Sequence, residues 1–260
     1  MTTTWRFTDD ELYAVWQGVT EESLPAPLFY TCRNSSWVSY MRELADHRQR
    51  LRDRVNPGFI GVLECIRNPD IRIEAQGWSG QDRRDPAASI RIAGARQAGR
   101  GFLIMQEPGE TIGHAKGFTV TEFDALELGR RIAEALPPVD AGQQGDIVLT
   151  DRTQSEQDYY FGQSIVGDPM TTSSTARSKA FLAAPHVRAG VIEVIQGQSK
   201  FGPRGILRHR LDWRDLEEDG RYLIADGTPR TAFSADTNRM TSLINSRIAD
   251  VVRAIKDERG

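Results

Sequence analysis

The chain has 260 residues, 39% hydrophobic and 27% charged, with a net charge of -3 and a pI near 5.9. That is an ordinary globular composition with ample material for a core, and it speaks against a polybasic nucleic-acid or anionic-membrane binder. No apolar run is long enough to span a bilayer, and two cysteines, Cys32 and Cys65, are too few for a disulfide framework and read as buried free thiols.

In chain order, Trp5–Thr8 reads as a short strand, and the opening MTTTWRFTDDEL lacks the basic and apolar regions of a signal peptide. Thr8-x-x-Glu11 is a capping box, in which the Thr hydroxyl takes the Glu11 amide while the Glu side chain reaches back. Leu12, Val15, Trp16 and Val19 then line one helix face. LPAPL (Leu24–Leu28) interrupts, because proline lacks an amide and fixes φ. Ser35–Val55 reads as a charge-rich helix, and Phe59–Arg67 as another. Strands follow at Ile71–Gln76, Ser89–Arg96 and Phe102–Gln106, then a short strand and a helix carrying Leu126, Ile132, Ala133 and Leu136. PPVDAGQQGD (Pro137–Asp146) is a connector. The polar stretch Asp151–Thr175 is read as a helix over Ser155–Ile165 and a mobile loop to Ser174. A helix over Thr175–Ala184 precedes strands at Val191–Gln196, Gly205–Trp213 and Tyr222–Ala225. A short strand then leads to a last helix with an apolar stripe of Leu243, Ile244, Ile248, Val251, Val252 and Ile255.

The order of elements occurs twice. Phe102-Leu103-Ile104 matches Tyr222-Leu223-Ile224 at an offset of 120, as Gln76-Gly77 matches Gln196-Gly197. Arg131-Ile132-Ala133 matches Arg247-Ile248-Ala249 at 116, as Pro69 matches Pro185. Four anchors in one order indicate an internal repeat; two unrelated hairpin–helix units are the alternative. The expected fold is α+β: an antiparallel central sheet of two pseudo-two-fold related β-β-β-β-α halves, about 1–140 and 141–260 of a single domain, flanked by helical bundles.

Catalytic signatures are missing. GARQAGRG (Gly94–Gly101) lacks the Lys-Ser/Thr ending of a phosphate loop and sits between two strands, so it reads as a hairpin turn. GQSIVG (Gly162–Gly167) is one residue off a nucleophile elbow and has no strand before it. His47, His114, His186 and His209 share no metal-ligand spacing. His209 falls on the apolar face of a strand, where a satisfied core histidine is the ordinary reading. Glu217-Glu218-Asp219-Gly220 reads as a solvated hairpin tip. WSGQDRRDPAA (Trp78–Ala88) is long for a hairpin connection, and long loops in compact domains often carry function.

WRFTDDELYAVW, LPAPLFY, the two sheet–helix halves, QEPG and DWRDLEEDGRYLI together resemble the EspG family of type VII (ESX) secretion chaperones, from Trp5 to about Ile255. The resemblance implies a cytoplasmic, cofactor-free, metal-free protein that is not an enzyme. It implies binding to the exposed hydrophobic tip of a PE–PPE-like pair, or of another helical-hairpin secretion substrate, so that the client stays soluble. No nucleic-acid or membrane partner is expected, and the protein is expected to be a monomer or weak homodimer. The loop after the second strand, the central sheet and the C-terminal helical part form the contact surface in that family. The matching residues here are Trp78, Ser79, Gly80, Gln81, Asp82, Arg83, Arg84, Asp85 and Pro86, with Arg208 and Arg210 on the wet face of the sheet. An interaction or regulatory protein that uses the sheet for self-assembly, and an enzyme with an unrecognised site, remain as alternatives.

Overall fold

Ten strands pair into one antiparallel sheet among the residues described, which in this computed structural model are 2–51, 57–150 and 169–260. In chain order the elements are β1 (Thr3–Thr8), α1 (Asp9–Thr20), α2 (Trp37–Arg50), α3 (Pro57–Arg67), β2 (Ile71–Ser79), β3 (Ile90–Gln97), β4 (Arg100–Pro108), β5 (Ala115–Asp124) and α4 (Leu128–Ala135). They continue with β6 (Ile147–Val148), α5 (Pro169–Ala183), β7 (His186–Gln196), β8 (Arg208–Leu216), β9 (Gly220–Ala225), β10 (Thr231–Ser234) and α6 (Thr237–Arg259).

The strand order is β1-β5-β4-β3-β2-β7-β8-β9-β10-β6. Outward from the central β2–β7 pair it reads the same both ways: three successive hairpins, then an outermost strand drawn from earlier in the chain. The expected halves are therefore present, and their strand orders agree. The ladders also correct the register of the repeat. Leu103 and Leu223 do correspond at 120. Across β3 and β8, Leu103 pairs with Gly94 and Leu223 with Trp213; across β2 and β7, Gly94 pairs with Ile73 and Trp213 with Gly190. Hence β2 matches β7 at an offset of 117, and neither Gln76-Gly77 with Gln196-Gly197 nor Pro69 with Pro185 is an equivalence. Loops of unequal length shift the offset from strand to strand.

Two further facts support this register. The Gly80 amide donates to the Val187 carbonyl (2.9 Å), and the Gly197 amide to the Asp70 carbonyl (2.8 Å). Both glycines lie so close to the neighbouring chain that a Cβ would stand 1.8 Å from a carbonyl oxygen, that of His186 or of Pro69. On the helices the offset of 116 holds, because Gly129 packs directly on Asn245, as expected where a residue meets its own equivalent across a two-fold axis.

Alternation places the apolar residues. One face of the sheet is covered by α4 and α6, with Ile71, Ile73, Ala75, Ile192, Val194, Leu211, Trp213 and Leu223 packed beneath Leu128, Ile132, Met240, Ile244, Ile248 and Val251. Trp213 is fully buried there, seated where Gly77 and Gly190 leave room; a Cβ at either would come within 2.6 Å of its indole. The other face is covered in two places. Helices α1 and α3 close a core over the first half, around Trp16, Phe59, Phe102 and Phe118. Helix α5 brings Phe181 edge-on to Tyr222 over the second half, with Ile147, Leu149 and Ile224. Both oxygens of the Thr8–Glu11 capping box are in place at α1.

Several boundaries differ from the sequence reading. Trp78 and Ser79 extend β2, because they pair with Ala189 and Arg188 of β7. The second strand of the second half is shifted to Arg208–Leu216, and Pro203–Gly205 is a 3-10 turn. The loop expected up to Ser174 is helical from Pro169. The helix read at Ser155–Ile165 and the GQSIVG motif lie outside the described residues, as does part of the helix read to Val55. GARQAGRG is the β3–β4 hairpin, turning at Ala98 with φ 52°. Asp219 is not merely a solvated tip: its carboxylate accepts from the Tyr222 hydroxyl (3.0 Å) and the Gln144 amide side chain (2.6 Å). Cys32 and Cys65 are both free thiols.

His209 lies on the core side of β8 beneath α6, half-buried, with Nε2 3.9 Å from Asp250 and no hydrogen-bond partner. Burial, with the Arg247 charge adding and Asp250 opposing, holds its pKa below the usual value of 6.5. The unfolded chain thus binds a proton more readily than the folded one, and stability falls as pH drops below about 6.5. His209→Gln is expected to flatten the fall in urea midpoint between about pH 7 and pH 5; an unchanged difference would assign that fall to other groups.

Candidate functional site

Between the two helical layers, the outward faces of β2, β7 and β8 form an open strip. Period two and the ladder registers arrange it in rows: Trp78–Ala189–Arg214, Gln76–Val191–Asp212, Glu74–Glu193–Arg210 and Arg72–Ile195–Arg208. At the first row the β2–β3 loop begins. There a concavity of about 550 Å³ is lined by Trp78, Ser79, Gly80, Arg83, Arg210 and Asp212, together with Leu182, His186, Arg214, Ile224 and Arg230.

The loop is built by its own short polar side chains. The Ser79 hydroxyl accepts from the amides of Gln81 (3.2 Å) and Asp82 (3.3 Å). Asp82 accepts from the Arg84 amide (2.8 Å), and Asp85 caps the 3-10 turn Pro86–Ala88 by accepting from Ala87 (3.0 Å). These are the local bonds that Ser and Asp favour in turns. The Arg83 guanidinium lies 4.2 Å from the centre of the Trp78 ring, a cation–π contact. Gly80 is the point where the loop presses on the His186 carbonyl.

Of the residues proposed from sequence, Trp78, Ser79, Gly80, Arg83 and Arg210 come together around the concavity. Gln81, Asp82 and Arg84 are exposed at the loop tip, and Asp85 and Pro86 shape the loop. Arg208 sits at the far end of β8, paired with Glu193 (3.0 Å), away from the concavity. Asp212, Arg214 and Arg230 were not proposed. The first two share the outward face with Arg210, so the alternation of β8 could have found them. Arg230 arrives from the β9–β10 turn, which no local pattern announces.

The strip's electrostatics are uneven. Asp212 offers one oxygen to Arg210 (3.0 and 2.8 Å) and the other to Arg230 (3.1 Å). Glu74 and Glu193 stand directly opposite across the central pair, with Arg72 3.3 Å from Glu74. Burial pushes the Glu74 carboxyl above its ordinary value, Arg72 pulls it back, and Glu193 adds to the rise. A second concavity, about 510 Å³, lies at the other end of β2 and β7 beside the C-terminal end of α6 and includes Asp70, Gln196, Ser199, Lys200, Glu258 and Arg259 in its lining. There Glu258 accepts from Gln196 (3.0 Å), Ser199 (2.9 Å) and the Lys200 amide (2.9 Å), and Arg259 pairs with Asp70 (3.0 Å).

The model of the EspG family matches residues 8–246. No curated protein matches the chain. Among solved structures, the chain is similar to the Mycobacterium tuberculosis type VII secretion system chaperone EspG5, solved in complex with the PE25–PPE41 dimer. The TM-score is 0.56 at 15% identity, covering 92% of this chain and 94% of that one. At that identity the likeness speaks for the fold. Among the described residues, no helix is long and apolar enough to cross a membrane.

Proposed function

The chain belongs to the EspG family, and from that premise we propose that it is a type VII (ESX) secretion chaperone that binds the exposed apolar tip of a PE–PPE-like helical substrate and keeps it soluble. The observation that carries the reading is the open strip of β2, β7 and β8, ending in the concavity at the β2–β3 loop. A bare apolar tip self-associates because water drives apolar patches together, and a covering surface with an apolar centre and a polar rim prevents this. Trp78, Val191, Leu182 and Ile224 offer the apolar centre, and the arginines the rim. The proposed contact residues are Trp78, Ser79, Gly80, Gln81, Asp82, Arg83, Arg84, Asp85 and Pro86, with Arg210 and, further along, Arg208. On this reading the protein works in the cytoplasm, without a cofactor or catalysis, as one domain of two halves and as a monomer or weak dimer.

Co-expression with PE–PPE-like pairs encoded in the same genome, followed by size exclusion, tests the reading. At least one pair is expected to co-elute with the chaperone and to precipitate without it; solubility of every pair in its absence would count against a protective role. Replacing residues 80–89 by a two-residue Asn-Gly turn is expected to weaken retention of that pair about tenfold or more while the sheet persists. Unchanged affinity in a folded variant would make the loop a mere connector.

A further inference from the structure

The chain as a whole carries a net charge of -3, yet the concavity beside the β2–β3 loop is lined by four arginines and a single carboxylate. Arg210 and Arg230 divide the two oxygens of Asp212 between them. Among the described residues Arg230 has one further ion-pair partner, the exposed Asp226, at 3.9 Å. Among the described residues Arg214 has neither an ion-pair nor a hydrogen-bond partner, and Arg83 rests on Trp78 without a carboxylate. Arg210 and Arg214 lie two rows apart on one strand, about 13–14 Å along it, with Asp212 between them. This surplus is not imposed by the fold. The pseudo-symmetric counterpart on the same face, where Pro69, Arg72, Glu74, Ala93 and Ala95 stand in for His186, Ala189, Val191, Asp212 and Arg214, is smaller, about 220 Å³, and there the charges of Glu22, Arg67, Arg72 and Glu74 balance. Same architecture and opposite outcome imply that the cationic surplus serves a ligand.

We propose that this groove reads acidity: it selects clients whose docking tip carries aspartate or glutamate side chains beside the apolar ones, with Arg83, Arg210, Arg214 and Arg230 as the specificity-determining residues. The inference rests on the chaperone reading and names the client class within it. Guanidinium is suited to the task, since its planar fork meets a carboxylate through two parallel hydrogen bonds. The apolar residues between the arginines lower the local dielectric and so strengthen such pairs, while the rim position makes the charges act on partner choice and encounter rate. A nucleic acid fits less well, because the Trp78 ring, on which a base would stack, is already covered by Arg83.

The test uses as a scaffold a PE–PPE-like pair that co-elutes with this protein, with the residues flanking its apolar tip made all acidic, all amide or all basic. Circular dichroism and size exclusion check that each form is folded. Wild-type protein is expected to retain the acidic form about tenfold or more tightly than the amide form, and the basic form least. Added salt should narrow the gap. The double variant Arg83→Glu/Arg214→Glu, which breaks no internal ion pair, is expected to keep its melting temperature and invert the order. Equal retention of all three forms, or a preference for the basic one, overturns the inference and leaves the chaperone reading standing. Retention of no altered form, with the parent pair still bound, also overturns the inference, whereas the chaperone reading fails only where no pair is retained at all. Competition by a single-stranded oligonucleotide as effective as the acidic tip would also overturn it, assigning the groove to phosphate.

Discussion

Asp215→Ala is expected to lower folding stability by about 3–5 kcal/mol, because it strands a buried guanidinium. Asp215 and Arg221 face each other across β8 and β9, each side chain only 4% exposed. Their contact is bidentate, with Arg221 Nε donating at 2.6 Å and Nη2 at 2.8 Å. Arg221 also stacks 5.1 Å from the Trp213 ring. Its backbone anchors the connector between the halves: its amide donates to Asp140, and its carbonyl accepts from Gly142 and Ala235. An unpaired charge at this point therefore loosens the second half of the sheet and the link to the first. Breaking the pair and replacing the pair are different experiments. Asp215→Leu with Arg221→Met removes both charges and is expected to recover much of the loss. Urea unfolding of the two variants separates these outcomes. A loss under about 1 kcal/mol for Asp215→Ala would mean that water reaches the site and the pair behaves as a surface ion pair.

Gly80→Ala and Gly197→Ala are expected to cost similar stability, about 1–3 kcal/mol each, and to differ sharply in function. A Cβ at either position would stand 1.8 Å from a backbone carbonyl oxygen, so the central strands must part locally to admit it. The two positions are equivalents at opposite ends of the β2–β7 pair. Gly80, however, sets the base of the β2–β3 loop and lines the arginine-rich concavity, whereas Gly197 sits at the charge-balanced end. Thermal melts are expected to show comparable losses, and size exclusion with the co-expressed client to show weakened retention for Gly80→Ala alone. Equal retention by both variants would move the contact surface away from the loop end.

Much of the molecule was legible in local pattern. Alternation in Ile90-Arg91-Ile92 and in Leu211-Asp212-Trp213 identified both strands and their buried faces, because a strand's side chains must point alternately to core and water. The capping box at Thr8 located the start of α1, since four amides there need acceptors. The match of Phe102-Leu103-Ile104 to Tyr222-Leu223-Ile224 exposed the duplication. Its register was out of reach. Identity between the halves is low, and only the ladders reveal that β2 and β7 correspond at 117, where Gly80 and Gly197 each meet a carbonyl.

The candidate site divides in the same way. The length and composition of the β2–β3 loop singled it out, and Arg210 followed from the wet face of β8. By itself, then, the sequence determined the elements, the duplication and the family, because each depends on interactions between residues near in the chain or on a pattern repeated along it. Only the tertiary structure decided that Arg83, Arg210, Arg214 and Arg230 surround one concavity, and that Asp212 is shared between two of them. Those residues come from a loop, a strand and a distant turn. Their net charge as a group depends on which partners the fold leaves them, and that is fixed by packing between segments far apart in sequence.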